Sequence, residues 1–272
     1  MSYAALMVHF DAAPSAYRRI HLAVDLANRF EAALIGIAGR SYVPTLMAEG
    51  LEIDAAGPDC EQDELDNLAD LGREFRAAAK RVRHLEWRGR VEHASNLVSN
   101  EARAADLVII GRETGSDDRN LALDPGMTIL RAGRPVLIVP DEVDSLPARR
   151  IMLAWKDTRE SRRAVSDALP FLKEATEVMI AEVCESGTET ESLRSVEDVA
   201  AYLRRHGVSV GAKVFLRTEH SVAGELLRFA KDGNADLIVA GGYGHSRLGE
   251  WIFGGVTRDL LAKSQVCCLF SH

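Results

Sequence analysis

A chain of 272 residues with 47% hydrophobic and 27% charged side chains has the balance of a soluble globular protein, with length for two domains of ordinary size. Its net charge of −8 and pI near 5.6 speak against a general nucleic-acid binder, which would show a basic face. No run approaches the ~20 apolar residues of a membrane span. The start, Met1-Ser2-Tyr3-Ala4-Ala5, has no basic stretch of a signal peptide, so the cytoplasm is the expected location.

In chain order, strands are expected near 4–10 and 33–39 with a helix near 15–32 between them. A helix near 61–82 follows, with an acidic run at 61–70 that reads as its solvated face. Then come a strand near 84–88, a helix near 94–104, a strand near 106–111, a short helix near 124–132 and a strand near 135–140. The segment 141–147, bounded by Pro140 and Pro147, is the natural linker. Beyond it strands are expected near 150–156, 177–183, 209–216, 236–241 and 266–270, separated by helices near 159–173, 191–206, 221–232 and 255–264. Most strands are continuous apolar runs, the mark of a parallel sheet buried on both faces. The helices carry apolar residues at three- and four-residue spacing, as in Val165, Ala168, Leu169 and Leu172.

The second half repeats the first. Ala105-Asp106-Leu107-Val108-Ile109-Ile110-Gly111 matches Ala235-Asp236-Leu237-Ile238-Val239-Ala240-Gly241, 130 residues on. Glu92-His93 matches Glu219-His220, each at a helix start. The first strands correspond, as do Pro135-Val136-Leu137-Ile138-Val139 and Val266-Cys267-Cys268-Leu269-Phe270. Four landmarks in one order indicate duplication. The expected fold is α/β: two tandem doubly wound open parallel sheets, Rossmann-like, with about five strands each, as domains 1–144 and 145–272.

In such sheets ligands sit beyond the carboxyl ends of the strands, where strand order reverses. In the second half the fourth strand leads into Gly241-Gly242-Tyr243-Gly244-His245-Ser246-Arg247, and six glycines fall between Gly241 and Gly255 just before a helix. Glycine lets backbone N–H groups approach an anion, and a helix start adds donors. His245, Ser246, Arg247 and Thr257 are suitable side-chain donors to phosphate, and Arg247 suits a pairing with charge outside the site equally well. The Glu-His pairs have no further ligands at zinc-like spacing and read as capping or positioning groups. His9 reads as a hydrogen-bonded core histidine. Cys60, Cys184, Cys267 and Cys268 form no Cys-x-x-Cys and read as small buried thiols, with the adjacent pair pointing to opposite faces of a strand. No nucleophile stands beside an evident base.

The glycine segment resembles the ATP-binding motif of the universal stress proteins: glycine, two residues, glycine, nine residues, glycine, then Ser or Thr. Gly241, Gly244 and Gly254 match all three glycines with both spacings, and the matched architecture covers nearly the whole chain twice. The resemblance implies an adenine nucleotide alpha hydrolase-like fold and a nucleotide site lined by Gly241, Gly244, His245, Ser246, Gly254, Gly255, Val256 and Thr257. The first-strand end, Ala154, Trp155 and Lys156, and Val183 after the second strand would flank the adenine. ATP, with or without Mg2+, is the implied cofactor.

The second half departs from the pattern at Gly255, which follows the third glycine where the family has Ser or Thr, and at Lys156, which stands where the family has Asp. Trp155 suits a stacked base or a core position; Lys156 suits a phosphate or a pairing with Asp157. The first half keeps Asp11 but loses the glycine spacing and gains Glu113, Asp117 and Asp118, so it reads as a degenerate copy. Three functions follow: a stress-response or signalling protein that binds ATP or another adenine nucleotide without a dedicated chemical step, a slow ATPase, or an interaction module with decayed sites. The partners implied are an adenine nucleotide and a protein, with no nucleic acid and no membrane. The resemblance also implies pairing through the last strand, within the chain through Val136-Leu137-Ile138 and Cys267-Cys268-Leu269, or in a homodimer.

Overall fold

The computed structural model describes residues 2–40, 47–48, 51–52, 58–112, 123–216, 221–244 and 255–272. The first half runs β1 (Ala5–His9), α1 (Pro14–Phe30), β2 (Ala33–Gly39), the two-residue strands β3 (Met47–Ala48) and β4 (Leu51–Glu52), α2 (Pro58–Ala78), β5 (Leu85–Arg90), α3 (Ala94–Glu101), β6 (Leu107–Gly111), α4 (Pro125–Arg131) and β7 (Val136–Val139). The second runs β8 (Arg150–Ala154), α5 (Arg159–Asp167), α6 (Leu169–Glu174), β9 (Glu177–Cys184), α7 (Glu189–Arg205), β10 (Val210–Leu216), α8 (Val222–Asp232), β11 (Leu237–Gly241), α9 (Gly255–Lys263) and β12 (Cys267–Ser271).

The larger strands form one sheet in the order β10-β9-β8-β11-β12-β7-β6-β1-β2-β5. Each half contributes five parallel strands, and the halves meet where β12 pairs antiparallel with β7, with Cys268 opposite Ile138, Leu269 opposite Leu137 and Phe270 opposite Val136. The pairing anticipated within the chain is therefore present. Every residue of β6, β7 and β12 is buried, as continuous apolar runs between two helical layers require. The edge strands β5 and β10 are only half-buried.

Side chains alternate across the strands, so the sheet separates two apolar cores. One packs α1, α2, α5, α6 and α7 against residues such as Leu6, Leu107, Leu153 and Cys267. The other packs α3, α4, α8 and α9 against Met7, Val108, Met152 and Cys268. Cys267 and Cys268 thus do face opposite ways. Each core runs through both halves. Tyr3, Phe30 and Phe171 meet edge to face with centroids 5.1 to 5.4 Å apart, and the Tyr3 hydroxyl donates to the Asp167 carbonyl at 2.7 Å.

The repeated Asp has one job in both halves. Asp106 Oδ2 accepts the N–H groups of Ala4 and Ala5 at 2.7 and 3.1 Å. Asp236 accepts those of Arg149 and Arg150 at 2.9 and 3.1 Å. Each carboxylate ties the start of a half's first strand to its fourth. Sequence expectation fails at 159–173, where two helices replace one. Pro170 has no N–H to give the preceding turn, and the chain breaks at Ala168 between α5 and α6.

Candidate functional site

In the second half β8 is followed by a crossover toward β9 on one side, while β11 lies on its other side. Strand order reverses between β8 and β11, which opens a crevice at their carboxyl ends. A cavity of about 320 Å3 lies there, at the low end of the ~300–1,000 Å3 typical of small-molecule sites.

Ala154, Trp155 and Lys156 at the end of β8 form one side. Trp155 is buried, and its Nε1 donates to Ser195 Oγ at 2.8 Å, so it is a satisfied core tryptophan that also lines the cavity. Lys156 is exposed. It does not find its partner in Asp157, whose carboxylate takes the Arg162 guanidinium at 2.6 Å. Val183, Val222, Leu226 and Ala240 add an apolar wall. Val222 and Leu226 stand one turn apart on α8 and so share a face.

Gly241, Gly244, Gly255, Val256 and Thr257 form the opposite side. Gly241 is required by close approach: a Cβ there would lie 2.6 Å from the Ser161 backbone nitrogen. The start of α5 therefore packs directly on the end of β11, bringing Thr158 and Ser161 into the lining. Thr158 caps α5 by accepting the Ser161 N–H at 3.2 Å. Thr257 Oγ1 accepts the Tyr243 N–H at 3.2 Å, which fastens the turn after β11 to α9. Behind Gly244 lies Glu160, whose Oε2 would be 3.0 Å from a Cβ at that glycine. Burial raises the Glu160 carboxyl, but hydrogen bonds from its own backbone N–H and Thr158, with the charges of Arg159 and His272, outweigh this and hold it below the usual range.

Nine of the anticipated residues thus surround one cavity: Ala154, Trp155, Lys156, Val183, Gly241, Gly244, Gly255, Val256 and Thr257. His245, Ser246 and Gly254 lie outside the described residues. Sequence reasoning missed Thr158, Ser161, Val222, Leu226 and Ala240. The cap-like Thr158 and the apolar spacing of 222 and 226 were visible, but nothing in the sequence aimed them at β8. Among the described residues no group of three or more His, Cys, Asp or Glu is placed to hold a metal ion.

In the first half, Asp11 is buried and faces inward. It pairs with the equally buried Arg19 at 3.3 Å and accepts the Ala13 N–H at 3.3 Å. Arg19 Nε also donates to the His9 carbonyl at 3.0 Å. The residue that resembles the family's base-reading Asp is thus committed to its own domain core. His9 is buried as anticipated but not hydrogen-bonded throughout, since Nε2 has no partner. His93 does cap α3, its Nδ1 accepting the Ser95 N–H at 3.3 Å. For the second copy the cap of α8 is Ser221, which accepts the Gly224 N–H at 3.1 Å; Glu219 and His220 lie outside the described residues, as do Glu113, Asp117 and Asp118.

The fold is a doubly wound, Rossmann-like α/β sheet made twice. Residues 147–271 match the Universal stress protein family. The second half is therefore similar to a universal stress protein domain, and the same fold is repeated ahead of it. Among solved structures it is similar to a universal stress protein from Archaeoglobus fulgidus DSM 4304, with a TM-score of 0.69, 17% identity, and coverage of 97% of this chain and 94% of that one. It is also similar to a functionally unknown protein from Pseudomonas aeruginosa PAO1, with a TM-score of 0.58, 13% identity, and coverage of 98% and 92%. At these identities the likeness concerns the fold. No curated protein matches the sequence. Among the described residues no helix is long and apolar enough to cross a membrane.

Proposed function

We propose that this protein is a cytoplasmic stress-response or signalling protein that binds an adenine nucleotide, ATP in the first instance, in the cavity between β8 and β11, and performs no dedicated chemical step. The observation that carries this reading is the convergence of Gly241, Gly244, Gly255 and Thr257 with an apolar wall at the one point of the second half where strand order reverses. The base belongs against Val183, Val222, Leu226 and Ala240. The ionised Glu160 behind Gly244 suits hydroxyl groups of a ribose better than a phosphate, by simple charge. Phosphates belong toward Lys156 and the start of α9, which supplies N–H donors and a positive dipole end. Mg2+, if it accompanies ATP, would be held mainly by the phosphates. The division at 144 and 145 makes the first domain a structural copy, whose Asp11 is already paired with Arg19.

The test is thermal unfolding with and without ATP. A ligand that binds only the folded state at 100 times its Kd stabilises by about 2.7 kcal/mol. We expect a clear upward shift for the natural protein and none for Gly244→Asp, whose carboxylate would meet Glu160 and fill the cavity mouth. Equal shifts in both proteins would refute the placement. No shift in either would favour an interaction module instead.

A further inference from the structure

A second cavity, of about 290 Å3, lies where the two halves meet. The first half supplies Arg112, just after β6, with Asp124, Pro125 and Gly126. The second supplies Tyr243, from the turn after β11, and Arg258 and Leu261 of α9.

Its charges are not settled internally. Arg112 Nη1 donates to the Ser264 carbonyl at 2.9 Å, while its enclosed Nε has no acceptor. Such an orphan calls for a bound water or ion nearby. Arg258 is exposed and forms no ion pair among the described residues. One carboxylate, Asp124, also lines the space, but its Oδ1 is committed to the Met127 N–H at 3.0 Å. Tyr243 is buried, and burial together with Asp124 pushes its phenol up to about 12. It stays protonated at neutral pH. In a chain of net charge −8, two guanidinium groups against the one carboxylate of Asp124 leave the lining of this cavity locally positive.

The turn that presents Tyr243 is specialised. Tyr243 has φ +56, a left-handed conformation uncommon for a non-glycine residue. Its backbone N–H is held by Thr257, between Gly241 and Gly244 of the first cavity. Its hydroxyl reaches so close to α4 that a Cβ on Gly126 would lie 2.7 Å away. One residue thus stands in the chain between two glycines of the first cavity and itself lines the second.

We propose that this junction is a second ligand site, for a small anion bearing a phosphoryl group, held jointly by Arg112 and Arg258. Two cations suit a dianion better than a single carboxylate, and guanidinium geometry matches phosphoryl oxygens. The volume admits free phosphate or a compact monoester whose organic part rests on Leu261. Because both halves supply a cation, the site exists only in the joined chain. It is distinct from the nucleotide cavity and does not depend on nucleotide binding there.

Equilibrium dialysis of the full chain against labelled inorganic phosphate, in an anion-poor buffer, tests this. The expected result is one phosphate per chain, retained by Gly244→Asp and bound at least tenfold more weakly by Arg258→Gln. Arg258 is exposed, so that variant is not expected to disturb folding; matched thermal unfolding checks it. Competition by glycerol 3-phosphate separates the sources. Tighter binding than phosphate indicates a monoester ligand, equal binding indicates the free ion, and both support the site. Absence of retained phosphate at millimolar concentration would overturn the proposal. So would unchanged binding in Arg258→Gln, or loss in Gly244→Asp, which would move the anion to the glycine turn.

Discussion

His9 sits at the end of β1 with about 1% of its surface exposed. Burial lowers its pKa from 6.5 to about 4, against the opposing pull of Asp11 and with a smaller lowering from Arg19. In the unfolded chain the imidazole takes a proton below about pH 6.5; in the folded chain it resists until about pH 4. Stability therefore declines as pH falls through that window, and the full swing is about 3 kcal/mol. Urea midpoints at pH 7 and pH 5 check this: His9→Leu should flatten the difference, and an unchanged slope would remove His9 as its source. The same neighbourhood shows what a sequence does and does not disclose. Asp11 was legible as the family's Asp by position, yet its pairing with Arg19 was not, because a helical Arg eight residues on normally faces solvent. Likewise Lys156 was legible as an oddity, while the loss of Asp157 to Arg162 depends on side-chain directions that only the fold fixes.

At the level of elements, the strands announce themselves. Segments such as Leu107-Val108-Ile109-Ile110 are apolar at every position because both faces are covered. Helices follow from their periodicity, and the break at Ala168 comes from Pro170 inside an otherwise periodic run. Within the site, the glycine positions and the ends of β8 and β9 were readable from spacing and resemblance. Val222 and Leu226 were not, since their apolar face serves equally well as ordinary core until α8 is known to cover β8 and β11. The β7–β12 pair is the element whose failure should be most visible. Proline at Leu269 would remove a ladder N–H and crowd its neighbours, on a strand buried between the halves. We expect Leu269→Pro to unfold at lower denaturant and to lose the coincidence of transitions followed by different probes. A single, unshifted transition would show that the junction contributes little.

The molecule as a whole is two halves with one strand arrangement that differ at the carboxyl ends of their strands. Asp106 and Asp236 clamp the two halves in the same way, and the apolar cores pass from one half to the other without interruption. What differs lies at the carboxyl ends of the strands. The second half presents a cavity with glycines, hydroxyls and a cation; the first commits its Asp to Arg19. The asymmetry should show as one nucleotide bound to each chain. Calorimetric titration of the purified protein with ATP and magnesium measures this directly. A stoichiometry of one, abolished by Gly244→Asp, is the predicted result. A stoichiometry of two would mean that the first half also binds, and no binding at all would contradict the nucleotide reading itself.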